Sequence, residues 1–71
     1  MPFRIESLMT LRERENLSQR ELAKRLDVSN AAISRWEANL RTPTIENIDC
    51  LYDFAHKRGY QDLVFYEPPK R

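Results

Sequence analysis

Residues 29–38 place several hydrogen-bonding side chains on one side of a short predicted helix. With about 100° of rotation per residue, the outer face collects Asn30, Ser34 and Arg35. An arginine can donate two hydrogen bonds to guanine, and an asparagine can bond adenine in the same bidentate way. Ser29 and Ser34 can reach a base or a phosphate, and Ala31 can contact a thymine methyl group. We therefore predict that DNA base contacts are made by Ser29, at the start of the helix, and by residues of this face: Asn30, Ala31, Ser34 and Arg35.

The opposite face of the same helix is apolar and is predicted to be buried. Ser29, Ala32, Ile33 and Trp36 gather there. Trp36 is an aromatic residue that could stack on a base, but its position beside Ile33 places it in the core. For Arg35 one alternative stays open, namely a surface arginine that contacts a phosphate or no partner.

Capping signals define two helices on either side of a tight turn. Ser18 and Glu21 have the spacing of a capping box, and apolar residues occupy the staple positions around them. Ser29 can cap the following helix in the same way. Only about three or four residues remain for the corner, which is the helix-turn-helix arrangement.

Two further helices complete a domain predicted over residues 1–59. The first is expected over residues 1–16, and its apolar stripe has helical spacing: Ile5, Leu8, Met9 and Leu11. The last helix begins after Thr44 as its cap and ends near Arg58, with Gly59 as a left-handed stop.

Residues 60–71 are expected to form a separate dimerisation element. Its core is a run of apolar and aromatic residues: Leu63, Val64, Phe65 and Tyr66. Such a run favours a short strand buried on both faces, although the segment also fits a fifth helix. Because a lone strand needs a partner, we predict that it pairs with its copy in a second subunit.

Composition excludes several classes of protein. The 71 residues allow one small domain, which favours help from a partner subunit. The single cysteine and the lack of a Cys/His cluster predict neither disulfide nor metal site, as in a cytoplasmic protein. No long apolar run predicts a membrane span. No nucleophile with a base and no Gly-rich phosphate loop is evident, so we expect neither an enzyme nor a cofactor.

The net charge of +1 is a weak overall attraction for nucleic acid, and it counts against DNA binding. The charges are unevenly distributed, however. Residues 1–41 carry eight basic and six acidic side chains, whereas residues 42–71 carry four and five. A positive field near the predicted DNA-contacting helix is therefore expected.

Four sequence stretches together resemble the Cro/C1-type helix-turn-helix family of phage and bacterial regulators, also called the XRE family. They are LSQRELAKRL, the turn DVS, the helix NAAISRWE and the following NLRTPT. The resemblance extends loosely from Leu8 to Gly59. It implies a mainly α, lambda-repressor-like fold of four or five helices. It also implies a sequence-specific regulator of transcription that binds a palindromic operator in double-stranded DNA as a homodimer, with repression as its mechanism.

The resemblance also implies roles for residues outside the predicted base-contacting face. Arg12 and Glu37 match a partly buried ion pair that joins the first helix to the third. Phosphate contacts are implied around the helix start and in the exit loop: Ser18, Gln19, Asn39 and Arg41. Asn16, Asp27 and Asn39 stand where the family commonly has glycine, and Asn and Asp tolerate the left-handed backbone better than most other residues.

A second hypothesis keeps this fold but assigns it another function. The nearly neutral charge and the apolar C-terminal run would also suit a protein-interaction module, such as an antitoxin that neutralises a toxin. The two roles can coexist in one chain, and the sequence alone leaves this alternative open.

Overall fold

The computed structural model describes residues 3–67 and contains four α-helices in that range. They are α1 (Ile5–Glu15), α2 (Gln19–Leu26), α3 (Asn30–Glu37) and α4 (Ile45–Lys57). The four-helix, mainly α prediction is confirmed. The predicted first helix was too long, since α1 begins at Ile5, after an extended Arg4 that provides no side-chain cap. Residues 1 and 2 of that prediction lie outside the described range.

Three of the helices begin at a hydroxyl side chain that accepts a backbone N–H one turn later. Ser18 accepts from Glu21, Ser29 from Ala32, and Thr44 from Asn47. Each bond satisfies one of the N–H groups that a helix start leaves without an intrahelical acceptor. The sequence therefore specifies where α2, α3 and α4 begin.

Four left-handed residues end these elements and turn the chain. The φ angles are 54° at Asn16, 58° at Asp27, 62° at Asn39 and 87° at Gly59. Asn and Asp adopt this region at lower cost than most side chains, which explains why the first three of these turns form without glycine.

The core lies where α1, α2, α3 and α4 meet. Its fully buried large side chains come from each helix and from the C-terminal segment: Leu8, Leu11, Leu22, Ile33, Leu51 and Phe65. Trp36 is buried among them, as predicted. Met9 was wrongly assigned to the stripe, because it is 49% exposed. It lies about 100° around α1 from Leu8, which turns it away from the core.

The C-terminal segment, residues 60–67, is neither the predicted strand nor a fifth helix. Within the described range, its backbone pairing is limited to an isolated antiparallel bridge between Phe3 and Tyr66. The Arg4 N–H donates to the Phe65 carbonyl at 2.8 Å. Leu63 and Phe65 are buried in this chain's own core, whereas Val64 is exposed and Tyr66 half-buried. The partner that the apolar run requires is thus the N-terminus of the same chain.

Side chains of α1 and α4 hold the C-terminal segment in place. The Tyr52 hydroxyl accepts the backbone N–H groups of both Phe65 and Tyr66, at 3.1 and 3.3 Å. Arg14 donates two hydrogen bonds of 3.0 Å to Asp62, and these bonds lower the pKa of that carboxylate. The Tyr60 hydroxyl donates to Glu15 at 2.6 Å. The segment therefore belongs to the packed body of the domain.

Replacing Asp27 by glycine tests the corner between α2 and α3. The residue has φ 58° and ψ 45°, where glycine carries no steric penalty, although glycine also increases the entropy of the unfolded chain. We expect Asp27→Gly to hold or raise the melting temperature. The matched control is Lys24→Gly, which lies inside α2 and should lower stability by about 1 kcal/mol. A clear drop in melting temperature for Asp27→Gly in thermal denaturation would show that the Asp27 side chain stabilises the corner.

Candidate nucleic-acid interface

The outer face of α3 is open to solvent along its whole length. The exposed residues are the predicted base-contacting set, Ser29, Asn30, Ala31, Ser34 and Arg35, together with Ala38. On the opposite face, Ile33 and Trp36 are buried against the rest of the domain. α3 therefore presents small and hydrogen-bonding side chains outward on a rigidly packed helix, which suits insertion into a major groove.

The two capping serines keep a hydrogen-bond donor free for a ligand. The Ser18 oxygen accepts from the Glu21 N–H, and the Ser29 oxygen accepts from the Ala32 N–H, both at 3.1 Å. A hydroxyl that accepts through oxygen can still donate its hydrogen. Both serines lie at exposed helix starts and can donate to a phosphate oxygen while they cap the helix.

The capping box of α2 also affects a carboxylate. Glu21 accepts the Ser18 backbone N–H at 2.9 Å, and this bond, followed by the bond with the Ser18 side chain, lowers the pKa of Glu21. Because the folded pKa is depressed, the ionised carboxylate stabilises the fold above the unfolded-state pKa. That contribution is lost as the pH falls through the folded pKa.

The carboxylate of Glu37, at the end of α3, accepts three hydrogen bonds. Arg12 on α1 donates from Nε to Oε2 at 2.6 Å and from Nη2 to Oε1 at 3.0 Å. Gln19, the first residue of α2, donates from Nε2 to Oε1 at 2.9 Å. Arg12 also donates from Nη1 to the Leu17 carbonyl at 3.0 Å. We call these four residues the Glu37 network: Arg12, Leu17, Gln19 and Glu37.

The carboxylate at the centre of the Glu37 network is largely shielded from water. The side chain of Glu37 is 8% exposed and that of Arg12 is 22% exposed. The ion pair implied by the resemblance is therefore present, with two parallel bonds and little solvent screening. Its bond to Gln19 was not foreseen, because nothing in the sequence pattern links the start of α2 to the end of α3.

The bond to Glu37 changes how Gln19 can contact a phosphate. The residue is half-buried, and one N–H of its side-chain amide donates to Glu37 in this structure. The first backbone N–H groups of a helix have no intrahelical acceptor, and Ser18 satisfies only that of Glu21. The backbone amides of Gln19 and Arg20 are therefore the donors suited to a phosphate at this helix start.

The basic side chains without a carboxylate partner are concentrated around α2 and α3. In the described range, every basic residue elsewhere forms an ion pair: Arg4, Arg12, Arg14, Lys57 and Arg58. No ion pair is formed within residues 3–67 by the others, which are Arg20, Lys24, Arg25, Arg35 and Arg41. The nearly neutral total thus conceals an uneven distribution of ion pairs, and Arg35 on α3 and Arg41 next to it form none within residues 3–67.

The exit loop places a second set of polar groups beside α3. A shallow cleft of about 240 Å³ lies between the end of α3 and the start of α4, and Arg35 and Arg41 both line it. Asn39 is exposed, and its backbone has the left-handed conformation. This conformation turns the chain so that the Leu40 N–H donates to the Arg35 carbonyl at 2.9 Å. Arg35 and Arg41 therefore share one side of the molecule, where a phosphate contact and a base contact can be made together.

The structure brings the predicted base and phosphate residues together and separates them from the predicted dimer residues. The start of α2 is joined to the end of α3 by the Glu37 network, and the exit loop follows α3 directly. Leu63 and Phe65 instead lie in the core. In the described part of the chain, no group of three or more His, Cys, Asp or Glu side chains could hold a metal ion, and no helix could cross a bilayer.

Comparison with known proteins identifies the family. The helix-turn-helix family model matches residues 8–49, which is more than half of the 71 residues. The chain belongs to the Cro/C1-type helix-turn-helix family. The matched residues 8–49 contain the whole of α2, α3 and the exit loop, so the match covers the candidate interface.

A curated relative shares much of this region. The HTH-type transcriptional activator BcrR of Enterococcus faecalis is 43% identical over 49 residues, which cover 69% of this chain and 24% of that protein. The chain thus spans about a quarter of that activator's length. No solved structure matches the chain significantly.

Removing Glu37 tests whether its network stabilises the domain. Glu37→Ala leaves the guanidinium of Arg12 without its carboxylate in a partly buried site, so we expect a loss of about 3 kcal/mol in the free energy of unfolding. The matched control is Asp62→Ala, which breaks an exposed bidentate pair with Arg14 and should cost less than about 1 kcal/mol. Urea denaturation measures both variants. Equal losses would show that the Glu37 network has no special role.

Proposed function

We propose that the chain binds a palindromic operator as a homodimer, contacts the bases through the outer face of α3, and represses transcription by occupying a promoter. The observation that carries this proposal is the coincidence of two features. The exposed face of α3 is small and hydrogen-bonding, and Arg35 and Arg41, which form no ion pair in the described range, line one cleft beside it. Binding, and no catalysis, is the activity that these features support.

Within the interface, different residues are suited to base contacts and to phosphate contacts. Arg35 is suited to guanine and Asn30 to adenine, because each can form two hydrogen bonds with one base edge. Ser18, the first-turn amide of Gln19, and the loop residues Asn39 and Arg41 are suited to phosphates on either side of the groove. The phosphate contacts would fix the position of α3, and the base contacts would then select the sequence.

The length of α3 supports binding by two copies. A helix of eight residues is about 12 Å long, so it can contact only about four base pairs. A site that short recurs too often in a genome to be selective. Two copies on inverted half-sites double the recognised length, and the half-sites would lie about one helical turn apart.

Repression remains our proposal for the sign of regulation. The relative that is called an activator is aligned over only 24% of its length, so the alignment does not bear on how either protein affects transcription. A regulator that covers promoter DNA needs no further contact to block transcription. A reporter gene with the operator inside the promoter should be silenced, whereas increased expression would indicate activation.

The alternative of an antitoxin or other protein-interaction module receives less support from the structure than from the sequence. That hypothesis rested on the nearly neutral charge and on the apolar C-terminal run. Leu63 and Phe65 are buried in the core of this chain and do not offer a free apolar surface. A pull-down of a co-encoded protein that competes with DNA would revive the alternative.

Substitution of Arg35 and of Arg41 separates base readout from phosphate binding. Selection from a random duplex pool provides the preferred operator, and fluorescence titrations at several salt concentrations then give the affinities. We expect Arg35→Ala to weaken operator binding by about 1–3 kcal/mol and to relax the preference at one base pair. Arg41→Ala should weaken operator and random DNA alike and reduce the salt slope by about 1.

The matched control is Lys57→Ala, since Lys57 is exposed on α4 and paired with Asp53. It should bind operator and random DNA as the unsubstituted protein does. An unchanged operator preference in Arg35→Ala would remove Arg35 from base readout, and failure of the selection to yield any motif would overturn sequence-specific binding.

A further inference from the structure

Three basic side chains of α2 are exposed and form no ion pair within residues 3–67. They are Arg20, Lys24 and Arg25. The phosphate contacts proposed above use the start of α2 but none of these three side chains. Because side chains of one helix point in different directions, their positions around α2 decide which of them can face a duplex.

Arg20 and Arg25 lie on opposite flanks of α2. The inward side of the helix is defined by its buried residues: Leu22, Ala23 and Leu26. With about 100° of rotation per residue, Arg20 lies about 110° from the middle of this buried stripe in one direction, and Arg25 about 110° in the other. Lys24 follows Arg20 by four positions and shares its flank, whereas Glu21 shares the flank of Arg25.

The flank with Arg25 faces carboxylates. Arg25 lines a cleft of about 550 Å³ between the end of α2 and α4, and three aspartates line the same cleft: Asp27, Asp49 and Asp53. The pKa of Glu21 is lowered first by its bonds with Ser18 and then by nearby charges, of which Arg25 has a larger effect than Lys24. A polyanion would meet acidic side chains on this flank, so Arg25 is poorly suited to a phosphate.

The flank with Arg20 and Lys24 is basic and adjoins the candidate interface. The acidic residue of α2, Glu21, lies on the other flank. α2 packs against both α3 and α4, and the flank of Arg25 borders α4. The flank of Arg20 and Lys24 therefore borders α3. The backbone N–H of Arg20 also belongs to the helix start that is suited to a phosphate, so the two cations extend that surface along α2.

The spacing of the two cations fits the DNA backbone. Four residues of an α-helix advance by about 6 Å. Each strand of B-DNA carries one phosphate per about 3.4 Å of the helix axis, so about two phosphates lie along that length. A DNA strand therefore matches this flank in both charge and repeat.

We propose that Arg20 and Lys24 form a second phosphate-binding strip, which contacts neighbouring phosphates of one DNA strand beside the groove that α3 enters, and that Arg25 takes no part. The strip raises affinity for any sequence and leaves base selection to α3. This inference rests on the proposed function, because it requires α3 to lie in the groove.

The test compares Arg20→Ala/Lys24→Ala with the control Arg25→Ala/Lys57→Ala, which removes the same net charge from the cleft between α2 and α4. Each protein is titrated onto the selected operator and onto a random duplex at several salt concentrations. We expect Arg20→Ala/Lys24→Ala to bind both duplexes at least about tenfold more weakly and to reduce the salt slope by about 2. The ratio of its two affinities should stay within about twofold of the unsubstituted value, and the control should change the slope by less than about 0.5. Circular dichroism checks that both variants retain the fold, because exposed substitutions have small effects on stability.

Neutral phosphates locate the strip on the DNA. Methylphosphonates replace the operator phosphates one at a time. In each half-site, two neighbouring replacements on one strand should weaken the unsubstituted protein and the control but leave Arg20→Ala/Lys24→Ala unaffected.

Three results would overturn the inference. They are an unchanged salt slope in Arg20→Ala/Lys24→Ala, an equal loss of slope in the control, and the absence of such a phosphate pair. If the selection yields no preferred duplex, sequence-specific binding fails instead. The salt slopes on the random duplex then decide the strip: a loss of about 2 in Arg20→Ala/Lys24→Ala alone supports it, and any other pattern overturns it.

Discussion

The carboxylate of Glu37 is the group on which the arrangement of the interface depends. It accepts hydrogen bonds from Arg12 on α1 and from Gln19 at the start of α2, while it is itself part of α3. A single nearly buried carboxylate thus connects three helices. Because charge-assisted bonds are short and directional, they limit how far α3 can rotate or slide against its neighbours. The position of the exposed side chains of α3 follows from that constraint together with the burial of Ile33 and Trp36.

The distribution of ion pairs resolves the apparent conflict between a nearly neutral chain and DNA binding. Away from α2 and α3, basic side chains of the described range are matched by carboxylates, for example Arg14 by Asp62 and Lys57 by Asp53. Around α2, α3 and the exit loop, the exposed basic side chains form no ion pairs with carboxylates in the described range. Attraction to a polyanion at short range depends on nearby unpaired charges and not on the net charge of +1. Salt largely screens exposed charges that lie more than about 10 Å apart.

Features controlled by neighbouring residues were predictable from the sequence. Capping hydroxyls fixed the starts of α2, α3 and α4, and helical spacing separated Trp36 from the exposed face of α3. Asn16 and Asp27 adopt the left-handed backbone that was expected where the family commonly has glycine. In each case the physical cause lies within about one helical turn of sequence.

Features that depend on distant parts of the chain were not predictable. The apolar run at 63–66 was predicted to form a strand that pairs with a second subunit, but no strand forms there, and its backbone bonds to Phe3 and Arg4, about sixty positions away. The hydroxyl of Tyr52 accepts two of its N–H groups, which no periodicity reveals. The bond between Gln19 and Glu37 belongs to the same class, since it exists only once α2 and α3 have packed.

The central claim is that the outer face of α3 and the flanking residues of α2 and the exit loop contact DNA. Amide chemical shifts recorded while a selected duplex is added to the isotope-labelled protein test it most directly. The account predicts that the largest changes map to residues 18–20, 29–38 and 39–41, with little change at the exposed surface of α1. Large changes confined to α1 or to residues 60–67, with α3 unaffected, would contradict it.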